Sequence, residues 1–452
     1  MYPIFRPSDA VPTRHPLKSA ALWLALAIAL GRGDPLQAAP EVVDAGLVLR
    51  LTGEMRAQHP ALRSLQARVD AAHHATEGTR RWADPMLTAG GAAYRDSSMA
   101  RDNGDLIYGV QQTLPILGKE KAARAVAGSE EAMAETRFEA RFVELRRDLA
   151  LALVAVAYER ESVALLREDG RWLEARESTA RARMASGRES LAQLLRLENE
   201  RARLRVDLAN GGVRLADAEA AVRRALGRTN EVSPGEFSLP PVGPDVAVDE
   251  RLVRIAEASD PMVRTIHAEG RVADATLLAT RRSARPDVAL GLQAYQYSGD
   301  GGIAQGMFGV TINLPWFNRE NYRRDLRRDE ARVRANRLEE TNAAAEVRRV
   351  VHRLAADLAS ARRIAVLYRD DIRPRTATTL GALEAAWMPG GADLRDLLET
   401  RRQLVDADRL AARATADYWN AIHELLLCCG LDDLGTLSDP ARAVLPTAKP
   451  RN

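Results

Sequence analysis

Two stretches of 68 residues restrict what this chain can fold into more than any other feature. Lys119 to Ser186 contains no proline and only Gly128 and Gly170 as glycines, and Arg319 to Ala386 is interrupted only by Pro374 and Gly381. As helix, at 1.5 Å per residue, each stretch could reach roughly 100 Å. A compact domain has no use for such lengths. Composition agrees: 46% of residues are hydrophobic and 28% charged, but only 5% aromatic, a balance suited to long Ala/Leu/Arg/Glu helices. Phe138, Phe142, Leu145, Leu149, Leu153 and Val156 form one apolar row, and Leu197, Leu204, Leu208, Leu215, Val222 and Leu226 form another. These rows predict an outgoing helix packed against its return as an antiparallel coiled coil. Gly170 and Pro374 predict a bend in each long helix.

The chain is also written twice. Pro60 and Pro85 recur as Pro261 and Pro286 at an offset of 201, and Leu114-Pro115 recurs as Leu314-Pro315 at 200. Gly187, Leu191, Leu194 and Leu195 recur as Gly390, Leu394, Leu397 and Leu398 at 203, and Gly227 and Gly430 close the two halves. An ordered series at nearly constant offset marks a duplication. We expect repeat 1 over 39–231, a linker over 232–248 without regular structure, repeat 2 over 249–430 and a C-terminal tail over 431–452.

Within each repeat, the stretch between the paired prolines loses its helical period and reads as a two-stranded hairpin. Strands are expected at about 86–94 and 106–114, and at about 288–297 and 307–314. Val288, Leu290, Leu292 and Ala294 alternate with Ala289, Gly291, Gln293 and Tyr295. Such strands suit an outer-membrane barrel, and equally a soluble sheet resting on a core. Four strands in lipid would leave edges unpaired, so the membrane reading requires oligomerisation.

At the N-terminus, Arg14, His15 and Lys18 precede an 11-residue apolar run from Ala20 to Leu30, with Leu36-Gln37-Ala38 as a small-residue cleavage site. Residues 1–38 therefore read as a secretory signal peptide, too short in its apolar part to span a bilayer. A formal charge of +3 carries no nucleic-acid footprint. The adjacent Cys428 and Cys429 lack ligand spacing; a structural role, a vicinal disulfide and a metal or redox role all stay open. His73-His74, His59, His267, His352 and His423 form no ligand set, and phosphate loops and nucleophile motifs are absent from the sequence. The chain reads as a protein with no catalytic site, no cofactor and no resident metal.

Three segments together resemble the TolC-like family of outer-membrane efflux proteins: Gln112 to Lys119, Val310 to Arg319, and Gly390 followed by Asp396-Leu397-Leu398-Glu399. The Leu314-Pro315-Trp316-Phe317-Asn318-Arg319 form looks most like the branch serving heavy-metal efflux. The resemblance implies a mainly α fold with transmembrane β. Three copies would close a 12-stranded β-barrel in the outer membrane, continuous with an α-helical tunnel through the periplasm. It further implies a homotrimer set in outer-membrane lipid, a periplasmic adaptor and an inner-membrane pump of the RND type. The loops at 95–105 and 298–306 would face outside the cell. The turns Gly187, Arg188, Glu189, Ser190 and Gly390, Gly391, Ala392, Asp393 would form adaptor-contacting tips.

Asp396 and Glu399 match the positions where family members place acidic residues constricting the tunnel. Their i, i+3 spacing puts both carboxylates on one helix face, where three chains would build a ring of negative charge. Without the resemblance, the same pair reads as a solvated face bridged to Arg395 or Arg402. Trp387 and Ala392 replace the tyrosine and arginine that some members use in latch contacts. The basic runs Arg323, Arg324, Arg327, Arg328 and Lys119, Lys121, Arg124 either meet lipid phosphates or pair along their helices with Asp325, Asp329 and Glu120. Two other functions use the same features: a periplasmic coiled-coil adaptor or scaffold, and the outer-membrane duct of a type I protein secretion system.

Overall fold

The computed structural model describes residues 40–91, 106–187, 190–228, 235–246, 248–296 and 301–431. The expected signal peptide, the outer part of the first hairpin, Tyr297, Arg188, Glu189 and the tail from Asp432 lie outside them. The same series of elements runs twice. In the first half, α1 (Ala45–Gln58) and α2 (Pro60–Gly78) lead to strands β2 (Met86–Gly91) and β3 (Leu106–Leu114), then to helices α3 (Lys119–Ala185) and α4 (Leu191–Ala225). In the second, α5 (Glu250–Ser259) and α6 (Pro261–Ser283) lead to β5 (Val288–Gln296) and β6 (Ile303–Ile312). There follow α7 (Arg319–Leu367), α8 (Arg373–Trp387) and α9 (Leu394–Cys429).

Equivalent residues begin and end equivalent helices. Pro60 and Pro261 occupy the first turn of α2 and α6, where a missing N–H costs nothing. Before them, His59 Nδ1 accepts from the Ala61 N–H at 3.1 Å, and Asp260 accepts from Met262 N–H at 2.8 Å. Burial lowers the His59 pKa, which suits a neutral ring acting as acceptor. Gly227 and Gly430, with φ of 68° and 62°, turn the chain after α4 and α9. A Cβ on Gly227 would stand 2.8 Å from Pro60 Cδ, and one on Gly430 would stand 3.1 Å from Ser259 Cβ. Glycine is needed at both places for its left-handed backbone and for its lack of bulk.

The two long helices differ in how they are built. α3 runs unbroken for 67 residues, with no interruption at Gly170. A Cβ on Gly170 would lie 3.4 Å from Leu204 Cδ2, an ordinary packing distance against α4. In the second half the helix does change, through a wide π turn at Tyr368–Ile372 just before Pro374. That turn accommodates a residue which can neither donate to the preceding turn nor clear its carbonyl. Phe138, Leu145, Leu149, Leu153 and Val156 are buried along α3, with Leu197, Leu204, Val222 and Leu226 buried opposite; Phe142, Leu208 and Leu215 are half-buried.

Two expectations are corrected. The linker contains a strand, β4 (Phe237–Ser238), paired in parallel with β1 (Glu41–Val42). Phe237 is buried beside Leu149, Leu153 and Val222, and the linker's carbonyls serve as acceptors. Tyr418 donates its hydroxyl to Pro244 O at 2.9 Å, and the Trp419 indole N–H donates to Pro240 O at 3.1 Å. Prolines lose a donor but keep an acceptor, so a proline-rich segment can still be held tightly. The second correction concerns the return strand of the second hairpin, which spans 303–312 and not 307–314. Gly301, at φ 72°, turns the chain early, and the Gln296 side chain donates to its carbonyl at 2.7 Å. Gln305 then pairs with Tyr295 inside the sheet.

Candidate functional site

The hairpins join into one antiparallel sheet ordered β2-β3-β5-β6. Register decides which side chains share a face, since paired residues point the same way. Leu87, Val110, Leu292 and Phe308 form one row across the sheet; Gln112, Leu290 and Val310 form the next, followed by Leu114, Val288 and Ile312. This face is apolar and uncovered: Phe308 is 63% and Leu292 59% exposed. The opposite face carries Thr88, Gly109, Gln111, Thr113, Gly291, Gln293, Gln305, Gly309 and Thr311, broken by Met86, Ile107, Tyr295 and Met307. Gly109 is needed for the strands to close, because a Cβ there would lie 2.6 Å from Gln293 Cγ. Such a sheet is apolar where a soluble protein would be polar, and β2 and β6 leave backbone groups unpaired at both edges among the described residues. A second chain offering complementary edges would satisfy both.

At the far end of the helices the turns of the two halves meet. Gly187 and Gly390 adopt φ of 71° and 91°. Ser190 caps α4 in a reciprocal arrangement with Gln193, and Asp393 caps α9 by accepting from the Arg395 N–H at 3.1 Å. Arg183 ties the turns together: its guanidinium lies 4.9 Å from the Trp387 ring centroid and donates to Trp387 O at 2.7 Å. Trp387 is fully buried with Leu194, Leu197, Leu394 and Leu397. Behind it, Arg401 Nε donates to Asp169 at 2.8 Å, and the Arg401 guanidinium lies 5.4 Å from the Trp172 ring. Trp172 and Arg176 both donate to Glu384. These pairs join residues some 200 positions apart, so the sequence shows only that arginines and tryptophans are present.

Asp396 and Glu399 are both exposed on α9, while Leu394, Leu397 and Leu398 on the same turns are buried. The carboxylates therefore point away from their own chain's core. Glu399 lies 3.8 Å from Arg402 and accepts from Gln403 at 3.3 Å. Arg402 is also held by Glu200. Asp396 has no ion-pair partner among the described residues. Gly187, Ser190, Gly390, Gly391, Ala392 and Asp393 all lie at the turns; Ala392 packs against the Trp387 cluster, and Gly187 and Gly390 are exposed. Cys428 and Cys429 are buried free thiols, pushed up to about 12 chiefly by burial.

Comparison with known proteins adds a family match over part of the chain and a shared fold. Residues 51–228 match the family model described as outer membrane efflux protein. No curated protein sequence matches the chain significantly. Among solved structures, CusC shares 15% identity with a TM-score of 0.73, over 85% of this chain and 92% of that one. The outer-membrane channel OprN shares 15% identity with a TM-score of 0.72, over 85% and 89% of the two chains. The outer membrane protein VceC from Vibrio cholerae shares 16% with a TM-score of 0.70, over 85% and 96%. At these identities the likeness is one of fold, and it spans both halves of the chain. The family match lies within the first half, and the second half repeats its elements in the same order; residues 51–228 are similar to the outer membrane efflux protein family, and the fold is shared over both halves.

Proposed function

We propose that the chain is the outer-membrane subunit of a tripartite efflux pump. Three copies close a twelve-stranded barrel, and their helices continue through the periplasm as a tunnel. The observation that carries this reading is the four-stranded sheet, uncovered and apolar on one face and small or polar on the other, with both edges open. Closing the edges between copies satisfies the backbone and turns the apolar face to lipid and the polar face to water. A soluble adaptor would leave that face without a partner. The helix turns at Gly187 and Gly390 would meet the periplasmic adaptor, and through it the inner-membrane pump. The Leu314-to-Arg319 motif supports heavy-metal cations as cargo.

Asp396 and Glu399 are then one chain's share of an acidic ring at the tunnel entrance. Six carboxylates in a narrow ring concentrate cations and exclude anions. In planar bilayers the wild-type protein is expected to conduct with a preference for cations. Asp396→Ala with Glu399→Ala should lower the cation-over-anion permeability ratio by about tenfold at low salt, and by less as salt screens the ring. Wild-type protein that inserts without conducting would refute the duct. Conducting variants with unchanged selectivity would remove the ring.

A further inference from the structure

We propose that the cavity where the first hairpin meets its helices binds the headgroup of an anionic phospholipid. The inference rests on reading the sheet as membrane-inserted. The cavity, of about 430 Å³, lies between the end of α2 and the start of α3, with Arg81, Lys121 and Arg124 at its walls and Ile116 and Gly118 beside them. Among the described residues these three cations have no hydrogen-bond or ion-pair partner, and Glu120 is the one carboxylate lining the cavity. Arg80, also at the wall, is held by Asp84. Arg282 comes in from the second half, its Nη1 lying 3.7 Å from where a Gly118 Cβ would be. Among the described residues the cavity thus carries more positive charge than its one carboxylate, Glu120, can neutralise.

The duplication provides a comparison within the same molecule. Arg324 stands where Arg124 does and is paired with Glu320 at 3.6 Å; Asn321 stands where Lys121 does. Arg323 also reaches Glu320, and Arg328 is held by Asp325 and Asp329. In the second half Arg323, Arg324 and Arg328 are thus paired with carboxylates of their own helix, whereas Arg81, Lys121 and Arg124 in the first have no such partner among the described residues. Position selects the ligand. The chain enters β2 at Met86 and leaves β3 at Leu114, so the cavity lies at the helix end of the sheet, with Ile116 in its wall 60% exposed and Trp82, next to Arg81 in the chain, 51% exposed. An indole and a branched alkyl group beside unpaired guanidinium groups match the boundary between acyl chains and phosphates. Arginine's fork suits a phosphodiester's paired oxygens.

The test uses the purified full-length oligomer, stripped of lipid in detergent and titrated by native mass spectrometry with palmitoyl-oleoyl phosphatidylglycerol or phosphatidylcholine. Phosphatidylglycerol is expected to bind about tenfold more tightly. Lys121→Gln with Arg124→Gln should abolish that preference, and the charge-matched Arg323→Gln with Arg324→Gln should keep it. Equal binding of both lipids, or equal loss in the two double variants, would overturn the site while leaving the membrane reading intact. Displacement by millimolar inorganic phosphate would also overturn it, assigning the cavity to a free anion. A protein that purifies as a soluble monomer would overturn both.

Discussion

Leu292→Arg is expected to eliminate the assembled oligomer, and Gln293→Arg, one residue along the same strand, is expected to leave it intact. Leu292 lies in the row with Val110 and Phe308 on the apolar face, and Gln293 pairs with Gly109 and Met307 on the other. An arginine facing lipid near the bilayer midplane costs about 2–4 kcal/mol, so three copies lose about 6–12 kcal/mol per barrel. An arginine in a water-filled lumen costs far less. Gel mobility of unheated membrane fractions reads the result directly. If both variants assemble equally, or both fail, the assignment of faces is wrong.

The second large effect concerns Arg401 and Asp169. Their side chains are only 10% and 17% exposed, so the pair is largely shielded from water. Burial pushes the Asp169 carboxyl above its ordinary range, the Arg401 hydrogen bond and charge pull it down, and Glu200 and Glu168 push it up again. Arg401→Ala strands this carboxylate and removes the guanidinium from Trp172, at a cost of about 3–5 kcal/mol near neutral pH. The sign of the pH dependence follows from linkage. A carboxyl whose folded pKa exceeds its unfolded value binds more protons when folded. Stability therefore falls as pH rises through that interval and returns as pH drops below it. Arg401→Ala raises the folded pKa further and extends the interval upward. The Tm gap between variant and wild type should shrink from pH 8 to pH 5, and Asp169→Asn in the variant should restore much of it. A gap of equal size at both pH values would show that packing, not charge, is at stake.

How far these features could be read from sequence depended on the range of the interactions behind them. Pro60, Pro261, Gly227 and Gly430 act on their own backbone, so their repetition marked helix ends that the structure has at Pro60, Pro261, Ala225 and Cys429. Alternation along Val288 to Tyr295 needs only the pleat, and the two faces were legible. The start of β6 was not, because Gln305 and Gly306 fall in the loop expected over 298–306 until Tyr295 and Ala294 are known to lie opposite them. The linker strand was hidden for a similar reason: Phe237 is ordered by a core built from α3 and α4. Gly170 was read as a weak point because glycine lowers helix propensity, by only about 1 kcal/mol, and α3 stays continuous through it. At the tip, Asp396 and Glu399 were visible through spacing and resemblance. Arg183 and Arg401 were not, since Trp387 and Asp169 approach them only once both halves have folded.

The central claim is that the functional unit is assembled from several chains in the outer membrane. Fractionating cell membranes, extracting the protein without heating and weighing the particle tests it in one measurement. The account predicts recovery in the outer-membrane fraction as a heat-dissociable particle of three chains. Recovery as a soluble single chain would contradict it.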